Sequence, residues 1–236
     1  LKDTAHRAYY HLILLAKNYT GYKNLMKICS TGHIEGMYYG KPRVSHEIVE
    51  KYAEGLVCCS ACIAGEVPRA IIAGDMKGAE EAIAWHKKVF GDDFYLEVQQ
   101  HKTLIPGQSQ EVYEHQLVAN KGIYELAEKT GTKVVATNDV HYLRKLDAEH
   151  QAVMMCIQTG STLADGKPIG FETDEFYYKT TEEMQRLFPG VPEALANTVR
   201  IAERCNFEFT FGKLHLPSLP EKNGISHGQM LTRLAF

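Results

Sequence analysis

Residues of the types that bind transition metals occur at three places where the sequence predicts a buried β-strand. They are His11, inside the apolar run 9–16; Cys62, directly after the run 56–61; and Asp139 and His141, directly after the run 133–138. Residues that follow parallel strands gather at one edge of a sheet, where such folds place functional groups. Imidazole, thiolate and carboxylate together favour zinc or another transition ion. In an extended chain, residues two apart project to the same side, so Asp139 and His141 are expected to point together.

Each of these residues also has an ordinary structural interpretation. A histidine inside an apolar strand is commonly a hydrogen-bonded core residue, and a buried cysteine commonly acts as a small hydrophobic residue. Cys59 and Cys62 have the spacing of a redox pair, but the strand-to-helix context of such a pair does not accompany them. Asp139 and His141 are also placed to form a turn by bonding the backbone. Spacing alone therefore leaves the metal site as one hypothesis among several.

Three further residues are candidates for supporting such a site. Glu66 follows Cys62, Glu97 lies within a predicted strand, and His101 comes just after that strand. They are candidates for groups that orient the ligands or form ion pairs. The other histidines fall on polar or helical stretches and are expected to be solvated: His33, His46, His86, His115, His150, His215 and His227.

Short β-type runs alternate along the chain with longer helical patterns. The predicted strands are 9–16, 56–61, 94–99 and 133–138. The predicted helices are 21–30, one that begins at Ser45, 75–90, 109–130, 147–159, 181–188, 192–205 and 225–236. Alternation of this kind indicates parallel strands covered by helices, so the sequence predicts an α/β fold.

The composition is that of an ordinary globular protein and limits the possible partners. The formal net charge is −3, whereas a free-standing nucleic-acid binder usually carries a basic excess that neutralises phosphates. Any contact with DNA is therefore expected to be local or to come from other parts of a larger protein. Six irregularly spaced cysteines do not make a disulfide scaffold and favour free thiols in a reducing cytoplasm. No apolar run approaches the ~20 residues that cross a bilayer, so no membrane contact is expected.

Several local strings are more specific than the spacing. They are HLILLAKN at 11–18, GYKNLMKI at 21–28, EGLVCCSAC at 54–62, FYLEVQ at 94–99, VVATNDVHY at 134–142, PEALANT at 192–198 and IAERCN at 201–206. In this order they resemble the PHP domain (polymerase and histidinol phosphatase) of bacterial DNA polymerase III alpha subunits. The resemblance covers nearly the whole chain.

The resemblance implies an irregular (β/α) barrel of the PHP type, incomplete at its N-terminus and with a helical C-terminal extension. The PHP domain is expected over 1–211, a linker over 212–224, and the start of the polymerase core region over 225–236. The family's cluster of up to three zinc or manganese ions draws on nine ligands. Four of these match His11, Cys62, Asp139 and His141, and the other five are expected before Leu1.

The resemblance also implies part of a replicative DNA polymerase, with Asp139 and His141 as catalytic residues. Their site would perform metal-dependent 3′→5′ exonuclease or phosphoesterase chemistry, while the magnesium for DNA synthesis would bind outside this chain. The implied partners are DNA and other subunits of the polymerase III holoenzyme. Two alternatives remain open: a non-catalytic scaffold that stabilises the polymerase and binds partner subunits, and a stand-alone PHP phosphatase.

Overall fold

The computed structural model describes residues 9–105, 109–165, 171, 173–214, 216 and 224–236. The strands are β1 (Ile13–Ala16), β2 (Met37–Tyr38), β3 (Lys41–Pro42), β4 (Leu56–Cys59), β5 (Phe94–Val98) and β6 (Lys133–Ala136). The helices are α1 (Tyr19–Ile34), α2 (His46–Lys51), α3 (Glu66–Ile72), α4 (Met76–Phe90), α5 (Glu111–Thr130), α6 (Ala148–Thr159), α7 (Thr181–Leu187), α8 (Pro192–Arg204) and α9 (His227–Ala235).

The predicted strands and helices are present, with boundaries that differ by a few residues. The predicted run 9–16 shortens to β1, and the predicted helix 21–30 lengthens to α1. Two features were not predicted: helix α3 and the hairpin formed by β2 and β3. Helix α3 has only seven residues, which is too short for a helical period to show clearly in the sequence.

The main sheet has the strand order β1-β4-β5-β6. Strands β4, β5 and β6 are parallel, as predicted, but β1 pairs antiparallel with β4. The prediction of four parallel strands is therefore wrong for β1. A single helix joins β5 to β6, and such a crossover fixes a parallel direction. The β1–β4 connection contains two helices and a hairpin, so alternation along the chain does not fix its direction.

The α/β class is confirmed, whereas the predicted barrel is not seen as a closed sheet. In the described ranges the sheet is open, with β1 and β6 as its outer strands. Helix α8 covers β6, and its buried Asn197 donates from Nδ2 to the carbonyl oxygen of Val134 (2.7 Å). This contact satisfies a backbone acceptor of an outer strand, which would otherwise be open to pairing with another chain.

The two faces of the sheet carry different cores, because side chains alternate along each strand. Phe94, Leu96 and Val98 of β5 pack in the larger core, which helices α3, α4 and α5 also build. Tyr95 belongs to the smaller core on the other face, together with Val57, Cys59, Val135 and Ile201. The sheet is thus buried on both faces around β5.

We term the side on which β4, β5 and β6 begin the amino edge. A Cβ atom added to Gly21 would lie 1.9 Å from the carbonyl oxygen of Gly55, so α1 and the start of β4 touch through their backbones. Asp93 forms ion pairs with both Lys17 and Arg204. Close backbone packing and paired charges therefore stabilise the amino edge.

The C-terminal part of the chain adds little to the sheet beyond α8. The predicted helix at 225–236 is α9, and the predicted linker 212–224 lies mostly outside the described residues. Within the described ranges, no helix is both long enough and apolar enough to cross a membrane.

Candidate functional site

The opposite side, where β4, β5 and β6 end and β1 begins, is termed the carboxyl edge, and it collects most of the predicted site residues. His11 lies there because β1 runs antiparallel to β4, so the residues before β1 meet those after β4. The backbone N–H of His11 donates to the carbonyl oxygen of Ala64 (3.1 Å). This contact sets His11 beside Cys62, which is 51 positions away in the sequence.

The side chains of His11 and Cys62 have the spacing of two ligands of one ion. His11 Nδ1 and Cys62 Sγ are 3.4 Å apart. Nitrogen and sulfur ligands at ~2.1 and ~2.3 Å from a tetrahedral zinc ion lie about 3.5 Å from each other. Burial raises the pKa of the Cys62 thiol, and the negative charge of Asp139 raises it further. A bound cation would act in the opposite direction and favour the thiolate.

The backbone adopts left-handed conformations directly after β4 and β6. Ala61 has a φ of 61° and Asp139 a φ of 45°. Such angles cost an L-residue roughly 1–2 kcal/mol, although Asp tolerates them better than most side chains. Strained backbone is concentrated at functional sites, where the surrounding structure holds it in place. Two of the strands that supply predicted ligands therefore end in strained turns at the same edge.

Asp139 and His141 are both exposed at the carboxyl edge. The expectation that they project to one side required an extended chain, and the left-handed φ of Asp139 departs from that conformation. His141 Nδ1 instead lies 2.6 Å from the carbonyl oxygen of Asp139. This bond makes Nδ1 the donor and leaves Nε2 as the nitrogen available to a ligand. The His141 ring contacts Phe171, at 4.5 Å between ring centroids.

Glu97 is the buried carboxyl group of this edge. Its Oε1 accepts hydrogen bonds from Thr137 Oγ1 (2.5 Å) and Gln99 Nε2 (3.0 Å). Burial raises the pKa of Glu97, the charge of Asp139 raises it further, and the two hydrogen bonds and His11 oppose this shift. Glu97 thus lies within electrostatic range of both His11 and Asp139, as a group that orients or tunes the site would.

Both ring nitrogens of His101 are used in hydrogen bonds within the protein, so His101 has a structural role. Gln116 Nε2 donates to His101 Nδ1 (2.8 Å), so Nε2 carries the proton and donates to the carbonyl oxygen of Asn138 (3.0 Å). Burial lowers the pKa of His101 and favours this neutral form. Asn138 in turn donates to the carbonyl oxygens of Glu175 and Tyr177. His101 therefore positions the turn that carries Asp139.

Glu66 has a partner outside the His11–Cys62 pair. Its Oε2 is 3.1 Å from His46 Nε2, and the His46 ring stacks on Trp85 at 3.9 Å. The neighbouring His86 is buried and bonds the carbonyl oxygen of Ala82 through Nδ1. The expectation that His86 is solvated is therefore wrong, because it lies on the apolar face of α4 against Phe94.

The described residues offer a partial fit to a metal ion. His11 and Cys62 are correctly spaced, but in the described part of the chain no group of three or more His, Cys, Asp or Glu side chains is arranged to hold an ion. The donor set of imidazole, thiolate and nearby carboxylate matches zinc chemistry in type. The pair thus supplies two of the four donors that a tetrahedral ion would need.

Sequence reasoning missed the polar residues that build the supporting network. Ser60 Oγ accepts from the backbone N–H of Glu97 (2.8 Å), and Asn120 Nδ2 donates to the carbonyl oxygen of Gln99 (2.9 Å). A usable signal was present, since polar residues directly follow the apolar runs of three neighbouring strands. Gln116 and Asn120 lie mid-helix on α5, and nothing in the local pattern marks them.

The chain is similar to known proteins over most of its length. Residues 2–101 match the PHP domain family. The DNA polymerase III alpha subunit of Borreliella burgdorferi is 45% identical over 217 residues, which is 92% of this chain and 18% of that protein. The alpha subunits of Treponema pallidum and Thermus aquaticus are 46% and 38% identical, over 87% and 97% of this chain and 17% and 18% of theirs. The chain thus spans less than a fifth of the length of these relatives.

Proposed function

Because this chain carries a PHP domain and is a homologue of DNA polymerase III alpha subunits, we propose that it is the PHP part of a bacterial replicative DNA polymerase. In this proposal the carboxyl edge binds divalent metal ions and hydrolyses phosphodiester bonds at DNA 3′ ends. The parent protein would synthesise DNA with magnesium bound elsewhere, and its partners would be DNA and other holoenzyme subunits. The length of the relatives favours this context over a stand-alone phosphatase.

One observation supports this proposal more than any other: the meeting of His11, Cys62 and the charge of Asp139 at a single edge. His11 and Cys62 are in contact, and Asp139 acts electrostatically on Cys62 and Glu97. These groups come from three separate segments of the chain.

The proposed roles follow from the position of each side chain. His11, Cys62, Asp139 and His141, through Nε2, would hold zinc or manganese, with Asp139 and His141 nearest to the reacting phosphate. When bound, the ions would lower the pKa of water and neutralise charge on the phosphate. Glu97 and His101 would position the ligands, Glu97 through its charge and His101 through Asn138.

A non-catalytic scaffold is the second candidate, and one feature favours it. Among the described residues no three potential ligands are grouped, whereas the network around His101, Gln116 and Asn138 is well satisfied. In that case the carboxyl edge would stabilise the polymerase and bind partner subunits without chemistry of its own.

The test compares Asp139→Asn with Asp92→Asn in the full-length polymerase subunit. Asp92 is a suitable control because its side chain is 93% exposed at the amino edge. Asp139→Asn keeps the size but removes the anionic ligand, so we expect release of the 3′ nucleotide to fall about 100-fold. Primer extension should stay within about twofold, since the polymerase magnesium would be bound elsewhere. Both are measured on a 3′-labelled primer with Mn²⁺ or Zn²⁺, beside the melting temperature.

The outcomes separate the two candidates. Undiminished nucleotide release in Asp139→Asn would overturn the catalytic role, and an equal loss of extension and melting temperature would favour the scaffold. Zinc content provides an independent measurement. Cys62→Ser should lose bound zinc, whereas Cys29→Ser, at an exposed cysteine of α1, should retain it.

A further inference from the structure

The hairpin of β2 and β3 presents a tyrosine in an unfavourable conformation. Its two-residue turn consists of Tyr39 and Gly40, with φ of 47° and 74°. Such a turn favours Asn-Gly, because both central residues are left-handed. Tyr39 is nevertheless 74% exposed, so burial of its ring does not offset the cost. This is the third strained non-glycine residue in the described chain, beside the two at the carboxyl edge.

Basic side chains lie over tyrosine rings beside this turn. Arg43 is placed between Tyr9 and Tyr38, at 4.7 and 4.6 Å from their ring centroids. Lys41 lies 4.9 Å from the Tyr9 centroid, and its Nζ donates to the Tyr9 hydroxyl (2.5 Å). These contacts hold cations and aromatic rings together on one surface. We term Tyr9, Tyr38, Tyr39, Lys41 and Arg43 the basic–aromatic surface.

This surface is continuous with the candidate site. Tyr9 and Tyr10 directly precede His11 in the chain. Arg69 of α3 donates to the carbonyl oxygen of Tyr9 (3.2 Å), and its guanidinium lies 5.8 Å from the Tyr10 ring. Tyr10 and Arg69 also line a groove of about 800 Å³ on this side of the molecule. Ile63, which follows Cys62 in the chain, lines the same groove, so the groove borders both segments that carry the His11–Cys62 pair.

The cations of this surface contact aromatic rings rather than carboxylates. Among the described residues, Lys41, Arg43 and Arg69 form no ion pair with a carboxylate, and each lies over a tyrosine ring. The whole chain is acidic, with a net charge of −3. A local cluster of unpaired cations on such a chain is complementary to a polyanion.

We propose that the basic–aromatic surface binds single-stranded DNA and directs its end to His11 and Cys62. Bases stack on exposed aromatic rings while cations contact the phosphates, a combination that binds single strands without regard to sequence. In a duplex the base faces are already stacked, so the tyrosines would have no partner. This inference deepens the proposed function, on which the choice of DNA as the polyanion rests.

The test measures binding of a fluorescent oligothymidine of about 12 nucleotides to the 236-residue protein in EDTA, by anisotropy. Tyr39→Asn removes the ring and installs the favoured turn residue, so its melting temperature should not fall. We expect its affinity to drop about tenfold, with an unchanged salt dependence. Lys41→Ala should lower the slope of log K against log salt by about 0.7, as expected for one lost phosphate contact. Phe211→Ala and Lys129→Ala are controls for an exposed ring and an exposed cation.

Three results would overturn the proposal. The first is equal affinity of Tyr39→Asn and the unaltered protein. The second is equally strong competition by a duplex of the same length. The third is the absence of binding at about 50 mM salt. That result would indicate that the basic–aromatic surface binds an acidic protein instead of DNA. EDTA removes divalent metal ions, so the binding assay does not depend on catalysis. DNA binding can therefore be observed when nucleotide release is absent, and the reverse. A negative result in this test is thus distinguishable from a negative result in the test of the proposed function.

Discussion

The two edges of the main sheet are built from similar residue types but use them differently. At the amino edge, Asp93 pairs with Lys17 and Arg204, and Arg204 also donates to the Tyr95 hydroxyl and the carbonyl oxygen of Asp92. At the carboxyl edge, Asp139 and His141 are exposed, and the backbone is strained at Ala61 and Asp139.

The difference has a physical reason. Paired charges and close packing stabilise a fold, whereas groups that bind a ligand must keep coordination positions open and so contribute less to stability. We therefore expect the amino edge to stabilise the domain, and we propose that the carboxyl edge is reserved for binding. Changes in unfolding free energy can therefore distinguish the two edges.

The largest expected effect is at the backbone contact of the amino edge. Gly21→Ala would improve helix propensity in α1, but the new Cβ would lie 1.9 Å from the carbonyl oxygen of Gly55. We expect the free energy of unfolding to fall by about 3 kcal/mol in urea denaturation. Gly228→Ala, in α9 with no atom within 4 Å of the new Cβ, should be stabilising by up to about 1 kcal/mol. Similar effects in both variants would show that the contact is not tight.

The next largest effect is at the ion pairs of the same edge. Asp93→Ala leaves Lys17 and Arg204 without their shared carboxylate, and should cost about 2 kcal/mol of unfolding free energy. The neighbouring Asp92→Ala, whose side chain is 93% exposed, should cost less than about 0.5 kcal/mol. Zinc content should not change in either variant. Loss of zinc in Asp93→Ala would remove the distinction between the edges.

A smaller effect of opposite sign is expected at the carboxyl edge. Asp139→Gly relieves the left-handed backbone, so the metal-free protein should gain about 0.5 kcal/mol of unfolding free energy. Asp92→Gly, at a residue with negative φ, should instead lose stability. The measurement is urea denaturation in the presence of a chelator. A loss of more than about 1 kcal/mol in Asp139→Gly would identify Asp139 as a structural residue.

The smallest effect is a pH dependence from His86, which stacks on Phe94 at the start of β5. Burial lowers the pKa of His86, while the Ala82 carbonyl and Glu66 oppose the shift and His46 adds to it. The unfolded chain therefore binds a proton at His86 more readily, and stability falls as the pH drops below about 6.5. Unfolding at several pH values should show a weaker acid loss in His86→Gln. An unchanged pH profile would contradict this prediction.

Much of the fold was predictable because it depends on local patterns. Helix α5 and strand β5 follow from their periodicity, and Gly131 and Gly160 end helices in the left-handed conformation that glycine favours. The sequence also indicated that His11, Cys62, Asp139 and His141 lie near strand ends, but it did not indicate the contacts that hold this edge. Gln116 bonds His101 across 15 positions, and such partners depend on how a helix packs on the sheet rather than on neighbouring residues.

The sequence by itself determined most of the strand and helix segments and the residue types at the strand ends, because periodicity and turn chemistry act over a few residues. Only the tertiary structure decided the direction of β1, which brings His11 to Cys62. It also decided that Asp139 is left-handed and that His101 supports the turn instead of facing a ligand. These features depend on contacts between residues far apart in the chain, and a sheet can satisfy the same local patterns in more than one strand direction.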